Sequence, residues 1–436
     1  MTDVTRPPVR RPYVTVALRT AEISIVCAAH AVRWALAPLA VWRRDSVLTT
    51  PARAARLLED LGPTFVKIGQ VLSARPDLVP AEWCSALGRL REQVRPIPPR
   101  VLKRRLDEIF GPARDAFAWI DPEPVAAGSI AQVHRAALAG GRVVALKIRR
   151  PGVERRVHAD FAVLRAVTRV LARLPFMRWT PIREIAEEVA APVCEQLDFR
   201  LEAENHREIA RMLEREEGLK VPRLVEPLCS DDVLAMEFID GLRDVTTASV
   251  PASQRQHAAL TGLRALYRMI FLGGLVHADL HPGNFFVREW GTVVLLDMGL
   301  TARLAPADRT AFVDFFFGMI NGDGDECARI VVEGASALGP RFQRDRFERE
   351  MRALVARHAR RRSREFEVGV FVTELIALQR RYDVRGSTAF MTTVLALVVY
   401  ESVCKQLYPE CDFQAEARGF LVLARYSRAG APVSAA

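Results

Sequence analysis

Apolar and polar positions change their period several times along the chain, and those changes divide it. Residues 14–43 predict one amphipathic to hydrophobic helix that ends in Arg43-Arg44. Thr49-Thr50-Pro51 reads as an N-cap with proline in the first turn, opening a helix to Asp60 that Gly62-Pro63 breaks. The next helix carries Phe65-Val66-Lys67-Ile68-Gly69-Gln70-Val71-Leu72 and stops near Arg75-Pro76. Lys67 and Gln70, three apart, share one face, while Phe65, Ile68 and Leu72 lie on another. Glycine in a helix costs about 1 kcal/mol relative to alanine, so Gly69 predicts a neighbour packed close against it. Residues 81–110 continue as helix, interrupted at Pro96 to Pro99, and Gly111-Pro112 marks a boundary.

From Ala118 the period shortens. Pro124 to Ala136 predicts strand, small-residue turn, strand, and Arg142 to Ile148 a third strand reached through Gly140-Gly141. The pattern is that of a five-stranded small lobe. Helical periods return at 154–173 and 181–215. Val233 to Gly241 is a buried strand running into a connector. Further helices are expected at 254–273, 307–320, 323–337, 344–362, 367–380 and 387–406, with a small, polar tail from Arg428. The class is α+β.

The 436 residues, half of them apolar, suffice for two or three subdomains. The net charge of +10 admits an anionic membrane surface or nucleotide phosphates as partners. No basic run is interleaved with aromatics, so nucleic acid is not an expected partner. The densest basic cluster, Arg357 to Arg364, reads as a solvated face, with anionic lipid or a partner as the sharper reading. Seven scattered cysteines without a CxxC pair suit reduced thiols in the cytosol. The polar, proline-rich start has no signal-peptide pattern. Ile23 to Trp42 is interrupted by His30 and Arg33 and broken by Pro38, so it predicts an interfacial or core-packed helix rather than a span. Ala389 to Tyr400 is too short to span and reads as a buried helix. The expected location is cytoplasmic, with peripheral contact on the inner face of the membrane through residues 14–43.

The chemistry concentrates in Val276-His277-Ala278-Asp279-Leu280-His281-Pro282-Gly283-Asn284 and Leu295-Leu296-Asp297-Met298-Gly299. Phosphoryl transfer needs one carboxylate near the nucleophile and oxygen ligands on the Mg²⁺ that bridges the phosphates. Asp279, Asn284 and Asp297 are those residue types in that order. Upstream, Val144-Ala145-Leu146-Lys147 puts a lysine on a strand, where it would meet phosphates. Ala126, Ala127, Gly128, Ser129 and Ile130 form the turn where a phosphate-covering loop belongs, with Val133 on the strand that follows. Glu202 is the candidate partner of Lys147, and Glu204 reads as its solvated neighbour. Backbone groups of Glu237 and Phe238 are the expected adenine contacts. His277 reads as a packed residue that hydrogen-bonds the loop backbone. For His281, loop scaffold and phosphate contact both stand.

Taken in order, these motifs resemble the UbiB/AarF (ADCK-type) family of atypical protein-kinase-like proteins over residues 48–415. The carriers are Lys67-Ile68-Gly69-Gln70, Ala126 to His134, Val144 to Lys147, Leu197-Asp198-Phe199 through Glu202 to Asn205, His277 to Asn284, and Asp297-Met298-Gly299. The resemblance implies a bilobal protein-kinase-like fold: a tail and helix over 1–47, a helical KxGQ extension over 48–112, a small lobe over 113–240 and a helical lobe over 241–436. It implies ATP and Mg²⁺ as cofactors, ATP hydrolysis or small-molecule phosphorylation, and service to isoprenoid-quinone lipid metabolism at a membrane. A lipid or quinone-pathway partner follows from it. It also implies that Lys67 and Gln70 face the active site, that Lys147 pairs with Glu202, that Asp279 holds the base position, and that Asn284 and Asp297 hold Mg²⁺. Three positions depart from the family pattern. Gly128 stands in a run usually made of alanines. Gln196 replaces a frequent glutamate, throwing any role in that motif onto Asp198. Met298 takes the phenylalanine position. Two other readings remain: a nucleotide-switched lipid-binding scaffold, and, more weakly, an ordinary Ser/Thr protein kinase.

Overall fold

The structure, a computed structural model, describes residues 12–36, 49–73, 75, 78–90, 96–174, 182–359 and 366–428. The arginine-rich start, residues 37–47 with Arg43-Arg44, the Arg360 to Arg364 part of the basic cluster and the tail from 429 lie outside them. The chain forms two compact units, residues 1–198 with 230–234, and residues 199–229 with 235–436. These units cut the chain differently from the sequence-based boundaries. The helical extension and residues 113–198 of the small lobe fall in one unit, and the segment from Phe199 to Cys229 falls in the other.

The first unit begins with five helices: α1 (Pro12–Leu36), α2 (Thr50–Leu61), α3 (Pro63–Ser73), α4 (Ala81–Leu87) and α5 (Pro99–Phe110). Strands β1 (Phe117–Ala127), β2 (Ala131–Leu138) and β3 (Val143–Arg149) then form an antiparallel meander. β1 is the sheet edge, as its Pro122 and Pro124, which cannot donate to a ladder, require. Its register shifts between Phe117 and Trp119 and on either side of Pro124. Helices α6 (Val153–Leu171) and α7 (Ile182–Glu195) follow. Leu61, Phe65 and Ile68 pack with Val157, Phe161, Val189 and Val193 in one buried cluster, so the apolar face expected for α3 meets α6 and α7.

Gly69 has the close neighbours its position predicts. A Cβ there would sit 2.2 Å from Leu90 Cδ1 and 3.0 Å from Leu58 Cδ1. Gly69→Ala is therefore expected to lower stability. Overpacking costs about 1–3 kcal/mol, and the gain in helix propensity returns at most about 1 kcal/mol. The loss should shrink in a Leu90→Ala background when the two are compared by urea unfolding, because the extra methyl then has room.

The sequence predicts one helix over 181–215. The structure breaks it at Gln196 to Asp198, after Pro192 inside α7, and restarts it as α8 (Phe199–Leu213) at the head of the second unit. The expected five-stranded sheet has four strands among the described residues, in the order β1-β2-β3 and then Val233–Glu237. The short strand β4 (Leu219–Lys220) pairs parallel with a strand of the second unit instead, through Leu219 opposite Val293. β5 (Val233–Glu237) enters from residues 230–234.

The rest of the second unit is β6 (Arg243–Asp244), α9 (Ala252–Tyr267), β7 (Leu275–His277), β8 (Phe285–Val287), β9 (Val293–Leu295) and β10 (Thr301–Arg303). These lead into α10 (Pro306–Asn321), α11 (Gly324–Glu333), β11 (Ala337–Leu338), α12 (Arg344–Ala359), α13 (Val368–Arg381), β12 (Val384–Arg385), α14 (Thr388–Leu407) and α15 (Phe413–Arg428). The helix predicted over 254–273 ends as α9 and continues as a π-helical turn, Arg268–Gly273. α15 and the β11–β12 pair are additions to the predicted elements. α14 is the one helix among the described residues long and apolar enough to cross a membrane, and half of its most apolar stretch is buried. Met391, Val394, Leu397 and Tyr400 belong to the same core as Tyr267, Phe271 and Phe285, which marks α14 as a core helix.

Candidate active site

Short strands bring the two chemistry-bearing loops together in the second unit. β7 pairs with β10, Thr301 opposite His277, and β8 pairs with β9, Phe285 opposite Leu295. Residues 278–284 leave β7 and enter β8; residues 296–300 leave β9 and enter β10. Two backbone bonds tie the loops: Ala278 N–H donates to Leu300 O (3.1 Å), and Leu296 N–H donates to Asn284 O (2.9 Å). β7 and β9, from which the two loops leave, are fully buried, so the loops stand on a firm floor.

His277 holds the loop from inside. Its Nε2 donates to Leu296 O at 3.1 Å, and its Nδ1 accepts the Asp279 N–H at 3.2 Å. That pair of bonds selects the neutral ring. Burial pushes its pKa below the usual histidine range, against the opposing pull of the Leu296 carbonyl and the nearby carboxylates of Asp279 and Asp297. Asn284 Nδ2 donates to Asp279 O at 3.0 Å and lies 3.4 Å from its Oδ2. His281, exposed, lies 3.5 Å from Asp279 Oδ2, and its Nδ1 accepts the Gly283 N–H. It serves here as loop scaffold.

Asp297 has φ +56°, the left-handed region that non-glycine residues seldom adopt. Its Oδ1 accepts the Gly299 N–H at 3.1 Å. Glu202 approaches the same place from α8, on whose buried face it sits with Phe199, Ala203, His206 and Ile209; Glu204 is exposed. A Cβ on Gly299 would lie 3.0 Å from Asp297 Oδ1 and 3.3 Å from Glu202 Oε2, so glycine is what leaves room for both carboxylates. Backbone held in a sparse region around charged side chains is a mark of functional sites. Met298 is fully buried in the core.

On the connector, Glu237 N–H donates to Arg223 O at 2.8 Å, so that residue has only its carbonyl left for an adenine. Its side chain pairs with Lys220 at 2.5 Å. Desolvation raises the Glu237 pKa, but the Lys220 hydrogen bond and charge outweigh it and the net shift is downward.

A family model, the ABC1 atypical kinase-like domain, matches residues 89–331, more than half of the chain. The chain belongs to this family. The ABC1 assignment agrees with the UbiB/AarF resemblance and with a bilobal kinase-like α+β fold. The uncharacterized protein slr0889 of Synechocystis sp. is 31% identical over 346 residues, covering 76% of this chain and 85% of its own. The probable protein kinase UbiB of Pseudomonas aeruginosa is 29% identical over 388 residues, covering 87% and 72%. Among solved structures, Rv3197 of Mycobacterium tuberculosis, in complex with erythromycin, superposes with a TM-score of 0.58 at 22% identity. It covers 81% of this chain and 90% of its own, and supports the fold.

Within the ABC1 frame, the donors fit Mg²⁺. The described residues hold no group of three or more His, Cys, Asp or Glu side chains placed to cage a metal. One carboxylate and one amide oxygen suit Mg²⁺, which keeps several waters and takes phosphate oxygens from its substrate. Asn284 Nδ2 is taken by Asp279 O, which leaves Oδ1 as the amide atom to offer a metal.

In the first unit, Lys147 lies on β3 opposite Val133 on β2. Ala126 and Ala127 end β1, and Gly128 N–H donates to Ala131 O at 2.9 Å, which closes the turn. Ser129 and Ile130 are buried. Lys67 and Ser129 line one cavity; Gln70, three residues on along α3, places its Nε2 3.4 Å from Leu90 O and is not among the residues that line it. Asp198 is exposed in the break before α8.

Sequence reasoning assigned no role to Gln132 and His134, both completely buried. Gln132 Oε1 accepts the Ile97 N–H at 2.6 Å, its Nε2 lies 3.5 Å from His134 Nε2, and His134 Nδ1 donates to Asp121 O at 2.8 Å. This chain of bonds ties the segment before α5 to the sheet. The signal was two polar residues two apart, at positions 132 and 134, on one face of a strand. Burial lowers the His134 pKa below 6.5, against the Asp121 carbonyl. The unfolded chain therefore takes up a proton near its ordinary pKa that the fold refuses, and stability is present above about pH 6.5 and lost below it. Urea midpoints are expected to fall between roughly pH 7 and pH 5, with a shallower fall in His134→Gln.

Proposed function

We propose that this ABC1-family chain is an ATP- and Mg²⁺-dependent atypical kinase or ATPase that serves isoprenoid-quinone lipid metabolism at the cytoplasmic face of a membrane. The observation that carries the reading is the strained Asp297, set beside Glu202 and Gly299 and tied by the loop backbone to Asn284 and Asp279. Asn284 and Asp297 would hold Mg²⁺, which supplies charge neutralisation at the phosphates when bound. Asp279, half-buried and placed by His277 and Asn284, orients the proton of the acceptor hydroxyl or water. By the UbiB/AarF resemblance, Lys147 would contribute a cation for the phosphates with Glu202 as its partner, and Ala126 to Ile130 with Val133 would cover the nucleotide. The UbiB/AarF resemblance supports the quinone-lipid side.

The membrane side is supported by α1. Leu18, Ile25 and Val32, seven apart, are exposed on its outer face, at 64, 68 and 56%. Such a stripe beside basic residues suits an interfacial helix on anionic lipid. The same stripe favours the second reading, a nucleotide-switched lipid-binding scaffold with little turnover.

Purified full-length chain with Mg·ATP is expected to release phosphate, faster with anionic vesicles than with neutral ones. Absence of both phosphate release and nucleotide binding overturns the enzyme reading. Vesicle sedimentation that depends on nucleotide, without release, selects the scaffold.

A further inference from the structure

Trp290 is the most exposed large apolar side chain among the described residues, at 88%. It stands at the tip of the β8–β9 hairpin, where Arg288 N–H donates to Thr292 O at 2.8 Å and Gly291 N–H donates to Arg288 O at 3.2 Å. Trp290 has φ +65° and Gly291 has φ +80°. Two successive positive φ angles at a hairpin tip favour Asn-Gly, since asparagine and glycine enter the left-handed region at least cost. A bulky side chain there is an outlier. The fold accounts for Gly291, which is buried where the turn rests on Gln254 and His257 of α9. It does not account for Trp290. The backbone at this position asks for a small polar residue, and the chain places an indole in water instead.

The surroundings of the indole narrow what it meets. Arg288 and Glu289 come just before it, both exposed, and Arg243 and Asp244 on the neighbouring β6 are exposed as well. These four charges balance, on a chain whose net charge is +10. Among the described residues, no other exposed large apolar side chain lies on β4, β6, β8, β9 or α9. A hot spot between proteins is an anchor inside a ring of packed contacts, within an interface of about 800 Å² a side. A lone indole collared by charges offers no such patch. A phospholipid surface needs none, because indole settles where headgroups meet hydrocarbon. A zwitterionic headgroup brings one charge of each sign to the collar, and its quaternary ammonium suits the indole face.

We infer that Trp290 is an insertion point for a zwitterionic phospholipid surface. The indole enters the headgroup layer, Arg288 and Arg243 meet phosphates, and Glu289 and Asp244 meet the ammonium groups. The inference rests on the membrane side of the proposed function and not on its phosphoryl chemistry. It separates from the α1 contact by lipid, since the α1 stripe calls for anionic headgroups and this tip does not. Trp290 comes six residues after Asn284 and seven before Asp297, on strands that continue into both loops of the candidate site. A contact at the tip therefore fixes how those loops stand over the lipid.

The test uses the full chain without nucleotide, vesicles of pure phosphatidylcholine, and Trp290→Asn. Asparagine suits the left-handed backbone, so the urea midpoint is expected to stay or to rise. Affinity for the vesicles, read by sedimentation, should fall by about tenfold or more with the loss of one buried aromatic anchor. Trp290→Tyr keeps an interfacial aromatic and should retain most of the binding. Dibrominated phosphatidylcholine should quench tryptophan emission more in the parent than in Trp290→Asn. Equal binding or equal quenching in the two overturns the inference, and so does a parent that does not bind phosphatidylcholine. Binding confined to anionic vesicles and indifferent to Trp290 also overturns it, while leaving the α1 contact in place. Trp290-dependent binding to phosphatidylcholine with no gain from anionic lipid supports it and removes the α1 contact.

Discussion

Asp297→Asn should reduce phosphate release from Mg·ATP by at least about a hundredfold, since even residues that only support a metal ligand are worth about 10–100-fold. The substitution isolates charge. Asparagine adopts the left-handed backbone at φ +56° as readily as aspartate. Its side-chain oxygen can still accept the Gly299 N–H. The fold should therefore persist, with a urea midpoint close to that of the parent, while Mg²⁺ loses its one carboxylate ligand. Release measured over a Mg²⁺ titration separates a weakened metal from a damaged fold: excess Mg²⁺ should recover part of the rate. A variant as active as the parent would remove Asp297 from the metal site and the enzyme reading with it.

Asp160→Ala should destabilise the first unit by about 3–5 kcal/mol. Asp160 is 1% exposed and accepts from Arg19 Nε at 2.5 Å. The same guanidinium donates to Leu61 O at 2.6 Å and to Glu22 at 2.8 Å, so Arg19 holds α1 to α2 and α6 together. Without Asp160 a buried cation keeps only a carbonyl and a largely exposed carboxylate. Asp160→Asn retains an acceptor and should lose less. Urea unfolding gives the energy, and limited proteolysis should show α1 cut first. A loss under about 1 kcal/mol would mean that Arg19 escapes to solvent at little cost.

The two loops of the candidate site were the most legible part of the chain. Asp279, Asn284 and Asp297 can be replaced by few other side chains, and short loops between short strands preserve their spacing. Gly69 was legible for a related reason, since a glycine inside a helix needs an explanation and Leu58 and Leu90 supply it. Long-range pairing was not legible. Nothing at Gln132 names Ile97, thirty-five residues away, as the group that needs its oxygen. Nothing at Leu219 says that it joins Val293 rather than the first sheet. Gln70 shares a helical face with Lys67 in projection, but its amide ends at Leu90 O. Periodicity also runs through breaks that tertiary structure imposes: 181–215 reads as one helix, whereas Pro192 and the turn at 196–198 divide it between two units.

The glycine between Glu202 and Asp297 has a consequence for the electric field. The chain as a whole is strongly basic, at +10. Yet around Gly299 two carboxylates face one small space, and Asp279 adds a third charge close enough to act on the same buried His277 that feels Asp297. These carboxylates gather in one part of an otherwise basic chain. If polyphosphates bind as proposed, the net positive charge would attract them from a distance, and a bound cation would offset the carboxylates at close range. On the proposed reading, metal-bound nucleotide would be favoured over free nucleotide there, before any contact with the base or the sugar.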